Sequence, residues 1–94
     1  MSRMHCVISY DIVNNKRRRK LAGLLEGYAA RVQYSVFEGW LANGQLKTLV
    51  HESARFIKIC EGDSFRIYRI CASCYPKTVA IGGFIPDWES AIIV

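Results

Sequence analysis

No stretch of this sequence approaches the ~20 consecutive apolar residues that a membrane-spanning helix needs, so a bilayer-spanning segment is excluded. The N-terminus holds only the short apolar run Cys6, Val7 and Ile8, soon interrupted by Ser9 and Asp11, so no secretion signal is read there. The expected location is therefore the cytoplasm, with reduced thiols rather than a disulfide framework. Internal repeats and linkers are also missing, and the two prolines, Pro76 and Pro86, fall late in the chain. With 94 residues there is room for one domain, spanning 1–94, which excludes a multi-step enzyme carrying its own cofactor domain. At 51% hydrophobic and 22% charged residues the composition is that of a folded chain and not of a disordered tail. A domain of this size buries only about 60–65% of its unfolded surface, so oligomerisation is expected.

Negative charge is scarce in the first third. Residues 1–31 carry Arg3, Lys16, Arg17, Arg18, Arg19, Lys20 and Arg31 against only Asp11 and Glu26, and this segment holds the whole net charge of +5. A localised basic patch on an otherwise balanced domain points to a polyanion such as nucleic acid. A solvated helix face is the plainer alternative.

The hydrophobic pattern places the elements. Residues 4–11 alternate as a strand with Asp11 at its end. Asn14 or Asn15 then caps a helix whose apolar stripe is Leu21, Leu24, Leu25 and Tyr28. Projected on that helix, Arg17 and Arg18 face inward toward the end of the first strand, whereas Lys16 and Arg19 point away. Residues 31–41 read as strand on both faces, which predicts a covering layer on each side, helices on one and a second subunit on the other. A second helix presents Leu46, Leu49, Val50, Ser53, Phe56, Ile57 and Cys60 inward and ends in a turn at residues 61–63. Strands follow at 64–71 and 79–84, and the apolar tail Ile92, Ile93, Val94 needs a sheet edge to join. Periodicity thus gives β-α-β-α-β-β with a terminal strand; if residues 33–35 fold into a tight hairpin, the order becomes βαββαβ, the ferredoxin-like pattern.

Asp11, at the carboxyl end of a strand and just before a helix, lies where such sheets place ligand-binding and catalytic groups. Its carboxylate suits Mg²⁺, which takes oxygen ligands and contacts phosphates. The alternative is that it caps the loop or pairs with Arg17 or Arg18. One carboxylate is a poor metal site, and a two-fold dimer bringing two copies of Asp11 together would complete it. Residues Lys16, Arg17, Arg18, Arg19 and Lys20 at a helix start, with Arg31, are the candidate phosphate contacts. Tyr10, Tyr34 and Phe37 either stack on bases or belong to the core. Cys71 and Cys74 form a C-x2-C pair that, with Cys6 and Cys60, suggests zinc only weakly; burial as small hydrophobes is the expectation. His5 and His51 are assigned no role, and Glu38 and Asp63, at strand ends, are secondary acid candidates, with ordinary surface charges as the plainer reading. No RNP1-type segment is present, which excludes an RNA-recognition motif.

Four segments in this order, YDI at 10–12, KRRRKL at 16–21, LLEGY at 24–28 and RVQYSVFE at 31–38, resemble the CRISPR-associated endoribonuclease Cas-two family, the small subunit of the spacer-adaptation module. DSFRIY at 63–68 and the pair Ile81, Gly82 fit the same pattern, so the resemblance covers nearly the whole chain. It implies an α+β, ferredoxin-like βαββαβ fold with an extra C-terminal strand exchanged in a homodimer whose sheets face each other. It further implies that Asp11 of both subunits binds Mg²⁺, and that Tyr10, Arg18, Arg31 and Phe37 fall on positions linked to activity, with Ser35 and Arg17 as neighbours. Family members are metal-dependent nucleases on single-stranded RNA or double-stranded DNA, or non-catalytic scaffolds that bridge integrase dimers and hold the prespacer duplex. Gly39 stands where many members carry cysteine, and Arg69 where proline often follows the tyrosine. Two functions are thus expected for this chain: an endonuclease acting with the CRISPR integrase, or a DNA-binding scaffold for it.

Overall fold

The alternation of apolar residues in the first segment yields strand β1 (Met4–Asp11), whose Cys6, Ile8 and Tyr10 are buried on one face. The computed structural model describes residues 3–83 and the backbone of residues 92–93. Helix α1 (Asn15–Leu25) starts where the side chain of Asn14 accepts a hydrogen bond from the Arg17 amide at 2.9 Å, a side-chain N-cap as the sequence predicts. Leu21, Ala22 and Leu25 form its buried stripe.

The segment read as one strand over 31–41 is a hairpin: β2 (Ala30–Gln33) and β3 (Val36–Leu41), turning at Tyr34 and Ser35. Helix α2 (Asn43–Ser53) follows, its first turn held by the Gln45 side chain, which accepts from the Ala42 amide at 2.9 Å. Strand β4 (Ser64–Ile70) completes an antiparallel sheet of order β2-β3-β1-β4. That order, with α1 and α2 as the crossovers, is the ferredoxin-like arrangement. Ile8 sits between Phe37 on β3 and Ile67 on β4, so the middle of β1 is the centre of the core.

Three expectations need correction. The second helix does not reach Cys60. After Ser53 the chain tightens into a 3-10 turn at Ala54–Phe56, extends, and makes another at Ile59–Glu61, leaving Cys60 exposed, and Val50, within α2 itself, is also exposed. Periodicity alone could not separate a long helix from a helix followed by two short turns. The strand expected over 79–84 is only β5 (Val79–Ala80), paired in parallel with β6 (Ile92–Ile93). Phe84 and Val94 lie outside the described residues. Of the cysteines only Cys6 is buried, and all four are free thiols. No helix among the described residues is long and apolar enough to cross a membrane.

Gly39 is explained by close packing. A Cβ placed there would lie 2.9 Å from the Ala29 Cβ and 3.1 Å from the Tyr28 carbonyl oxygen, where the α1–β2 connection crosses β3. Gly39→Cys, restoring the residue many members of the resembled family carry, is therefore expected to cost about 1–3 kcal/mol through overpacking, read by urea denaturation. An unchanged midpoint would mean that the 28–29 backbone yields freely.

Candidate functional site

The carboxyl end of β1, the start of α1 and the tip of the β2–β3 hairpin converge, because the Tyr10 amide donates to the Ser35 carbonyl at 3.2 Å. Strand alternation then divides the neighbouring residues between two faces. Tyr10 lies on the helix-covered face with 4% of its surface exposed. Asp11 falls on the opposite, open face, where it is exposed and makes no side-chain hydrogen bond or ion pair among the described residues.

On the covered side a compact cluster forms. Arg31 opposes Phe37 across the hairpin, and its guanidinium carbon lies 5.3 Å from the Phe37 ring centroid. The rings of Tyr10 and Phe37 are 6.3 Å apart. Burial raises the Tyr10 phenol above its ordinary value of 10.0, and the neighbouring Arg31, charged and hydrogen-bonded to it, partly offsets that rise. Phe37 has no exposed surface. Its ring is therefore an apolar support beneath the exposed Arg31 guanidinium, and nearly buried Tyr10 packs against it from the side.

Arg18 donates to the Ile12 carbonyl at 2.7 Å and to the Asn15 side chain, tying α1 to the end of β1. Its guanidinium carbon is also 6.0 Å from the ring centroid of Tyr34, which stands 73% exposed at the hairpin tip. Arg17, grouped by sequence with the phosphate contacts, is engaged internally. It binds Asp63 and the Phe56 carbonyl through Nη1, and Glu61 at 2.7 Å through Nη2. Lys16, Arg19 and Lys20 are exposed and make no ion pair among the described residues.

Asp63, expected to be a surface charge, is instead a buried hub. Its carboxylate accepts from the Val13 amide at 3.1 Å, from the Lys58 amide at 2.8 Å, and from Arg17. Burial pushes this carboxyl up, but the Lys58 amide, the Arg17 guanidinium and the Val13 amide together outweigh burial and hold it below 3.8. A sequence signal did exist: an inward-facing arginine needs a carboxylate. Glu38 is likewise no simple surface charge, since it lies within β3 and meets His5 Nε2 at 3.2 Å. His5 is buried beneath Trp40 and Tyr75, whose rings lie 5.1 and 4.1 Å away.

Among the described residues no three His, Cys, Asp or Glu side chains converge as metal ligands. Asp11 offers one uncommitted hard-oxygen group, which fits Mg²⁺ only as part of a site. That ion commonly binds one or two carboxylates together with substrate phosphates.

Residues 4–78 match the family described as CRISPR associated protein Cas2. The chain belongs to that family. It is 49% identical over 87 residues to the CRISPR-associated endoribonuclease Cas2 1 of Chloroflexus aurantiacus, covering 93% of this chain and 94% of the relative. Its fold is similar to the crystal structure of a hypothetical protein from Thermus thermophilus, with a TM-score of 0.69 and 38% identity over 74% of this chain and 84% of that one. It is also similar to a chain of a partial Cas6-RT-Cas1–Cas2 complex, with a TM-score of 0.65 and 31% identity over 77% of this chain and 83% of that one.

Proposed function

We propose that this chain acts in CRISPR spacer acquisition as a metal-dependent endonuclease on single-stranded RNA or double-stranded DNA. Its working form is a cytoplasmic homodimer of single domains, 1–94, associated with the integrase. The observation that carries this reading is the exposed, uncommitted Asp11 carboxylate at the end of β1, beside a helix start rich in cations. Relatives named as endoribonucleases and a neighbour from a Cas1–Cas2 assembly support it.

Asp11 would hold the Mg²⁺, with a second copy's Asp11 or a substrate phosphate completing the ligand set. When bound, the ion supplies charge neutralisation and a more acidic coordinated water. The chain's own residues do the rest. Arg31, braced by Phe37 and Tyr10, presents a fixed cation to a phosphate. Arg18 anchors the β1–α1 loop directly after Asp11, while exposed Tyr34 offers a ring for a base. In the proposed dimer the open sheet face meets its copy, and the terminal strand β6, which pairs with β5 of its own chain, would meet the partner's sheet only as part of that two-stranded sheet. The test is cleavage of labelled single-stranded RNA and double-stranded DNA by purified protein with Mg²⁺ and with chelator.

A second reading, a non-catalytic scaffold that holds duplex DNA for the integrase, is favoured by a separate observation. Lys16, Arg19 and Lys20 lie on the first helix without ion-pair partners among the described residues. Replacing these three with glutamate is expected to weaken duplex binding alike across sequences. The dependence of log affinity on log salt should flatten by about 2.7, at about 0.9 for each phosphate no longer neutralised. A slope identical to that of the wild type would remove this face from the interface.

A further inference from the structure

The C-x2-C pair plays no part in the function described above, and its geometry gives it chemistry of its own. Beyond Ile70 the chain folds into a tight turn in which the amides of Cys74 and Tyr75 both donate to the Cys71 carbonyl, each at 3.0 Å. A turn closed between positions i and i+3 brings the two Cα atoms within about 7 Å, close to the span that a disulfide bridges. Both thiols are exposed, and the Cys71 Sγ lies 3.3 Å from the Ser73 hydroxyl. No third metal-ligating side chain joins them among the described residues. The arrangement is therefore an accessible dithiol rather than a four-ligand zinc site.

We propose that Cys71 and Cys74 form a reversible dithiol–disulfide site that reacts with low-molecular-weight disulfides such as glutathione disulfide. Cys71 is the attacking group. Hydrogen bonds from the Cys74 thiol, the Ser73 hydroxyl and the Cys74 amide lower its thiol to about 7, so a large share is thiolate at neutral pH. Cys74 shifts the other way, raised first by its hydrogen bond to Cys71 and then by the neighbouring charge. It therefore keeps its proton while Cys71 reacts.

The Cys71 thiolate attacks one sulfur of the small disulfide. A bond forms between Cys71 Sγ and that sulfur, the small S–S bond breaks, and one small thiolate leaves. Consumption of the Cys71 thiolate removes the charge that held the Cys74 proton, which passes to solvent. The Cys74 thiolate then attacks Cys71 Sγ and expels the second small thiolate. The pair loses two electrons and the small disulfide gains them, ending as two thiols once protonated. The bridge fixes the turn that leads from the end of β4 to Tyr75, the ring packed on His5 and Trp40.

The test treats the full-length wild type and the Cys60→Ser, Cys74→Ser and Cys71→Ser variants with glutathione disulfide at neutral pH, quenches with acid, and reads intact mass and the tryptic peptide spanning 70–77. Wild type and Cys60→Ser should each lose two hydrogens in that peptide, reversibly with dithiothreitol. Cys74→Ser should instead retain one glutathione on Cys71. Cys71→Ser should be modified at Cys74 roughly several-fold more slowly, because without Cys71 the Cys74 thiol returns toward an ordinary thiol, whose small thiolate share is only partly offset by its greater nucleophilicity. A stable glutathione adduct on the wild-type pair, or faster modification at Cys60, would overturn the proposal. So would stoichiometric zinc that copurifies with the wild type and is lost in Cys71→Ser.

Discussion

Asp11→Ala is expected to lower metal-dependent cleavage by at least roughly a hundredfold while leaving the fold and duplex affinity unchanged. The effect on activity is large because Asp11 is the uncommitted acid at the end of β1, and alanine leaves no oxygen for a cation. The effect on stability is small because the side chain is exposed and holds nothing else among the described residues. Substitutions at such surface positions usually stay within about 0.5 kcal/mol. Single-turnover cleavage at saturating protein, run in parallel on both preparations with Mg²⁺ and with chelator, separates the outcomes. Equal cleavage by wild type and variant would point to a contaminating nuclease and sink the enzyme reading. Cleavage by neither, with duplex binding intact, would leave the scaffold.

The largest loss of stability is expected from Asp63→Ala. One carboxylate joins three parts of the chain: the loop after β1 through the Val13 amide, α1 through Arg17, and the link before β4 through the Lys58 amide. Removing it leaves two amides without their acceptor, and an arginine whose side chain is 13% exposed keeps only Glu61, on its outer side, as a carboxylate partner. Breaking such a buried, hydrogen-bonded pair should lower Tm by roughly 10 °C or more in a domain of this size. Asp63→Asn retains one acceptor oxygen and should lose less.

The pH dependence follows from the direction of the Asp63 shift. Its folded value lies below the ordinary 3.8, so its contribution is fully present above that ordinary value and disappears as pH falls through the lower folded one. The stability gap between wild type and Asp63→Asn should therefore be constant near neutrality and close in acid. Urea denaturation across that range reads it directly. A gap that persists down to about pH 2 would mean that the ionised carboxylate is not its source.

The arginine run illustrates how far sequence reasoning reached. Helical projection correctly turned Arg17 and Arg18 inward and left Lys16 and Arg19 outside that face. It did not reveal that Arg17 is engaged by a carboxylate 46 residues away, because a helical wheel describes one element and contains nothing about what packs against it. Phe37 shows the same boundary. Its place near Arg31 follows from the hairpin register, yet whether the ring touches a ligand or supports a cation depends on burial.

The sequence by itself determined the first strand and its end at Asp11, an asparagine N-cap at Asn14 or Asn15, the apolar stripe of α1 and the concentration of positive charge in the first third. These are local properties, written in alternation, helical spacing and capping chemistry over a few residues. Only the tertiary structure decided that Asp63 is a hub, that Asp11 and Tyr10 belong to opposite faces, that α2 stops at Ser53, and that Cys71 and Cys74 share an exposed turn. Each of those depends on which distant groups exclude water from, or donate hydrogen bonds to, a given side chain, and this is settled only when the sheet and its two helices close around the core.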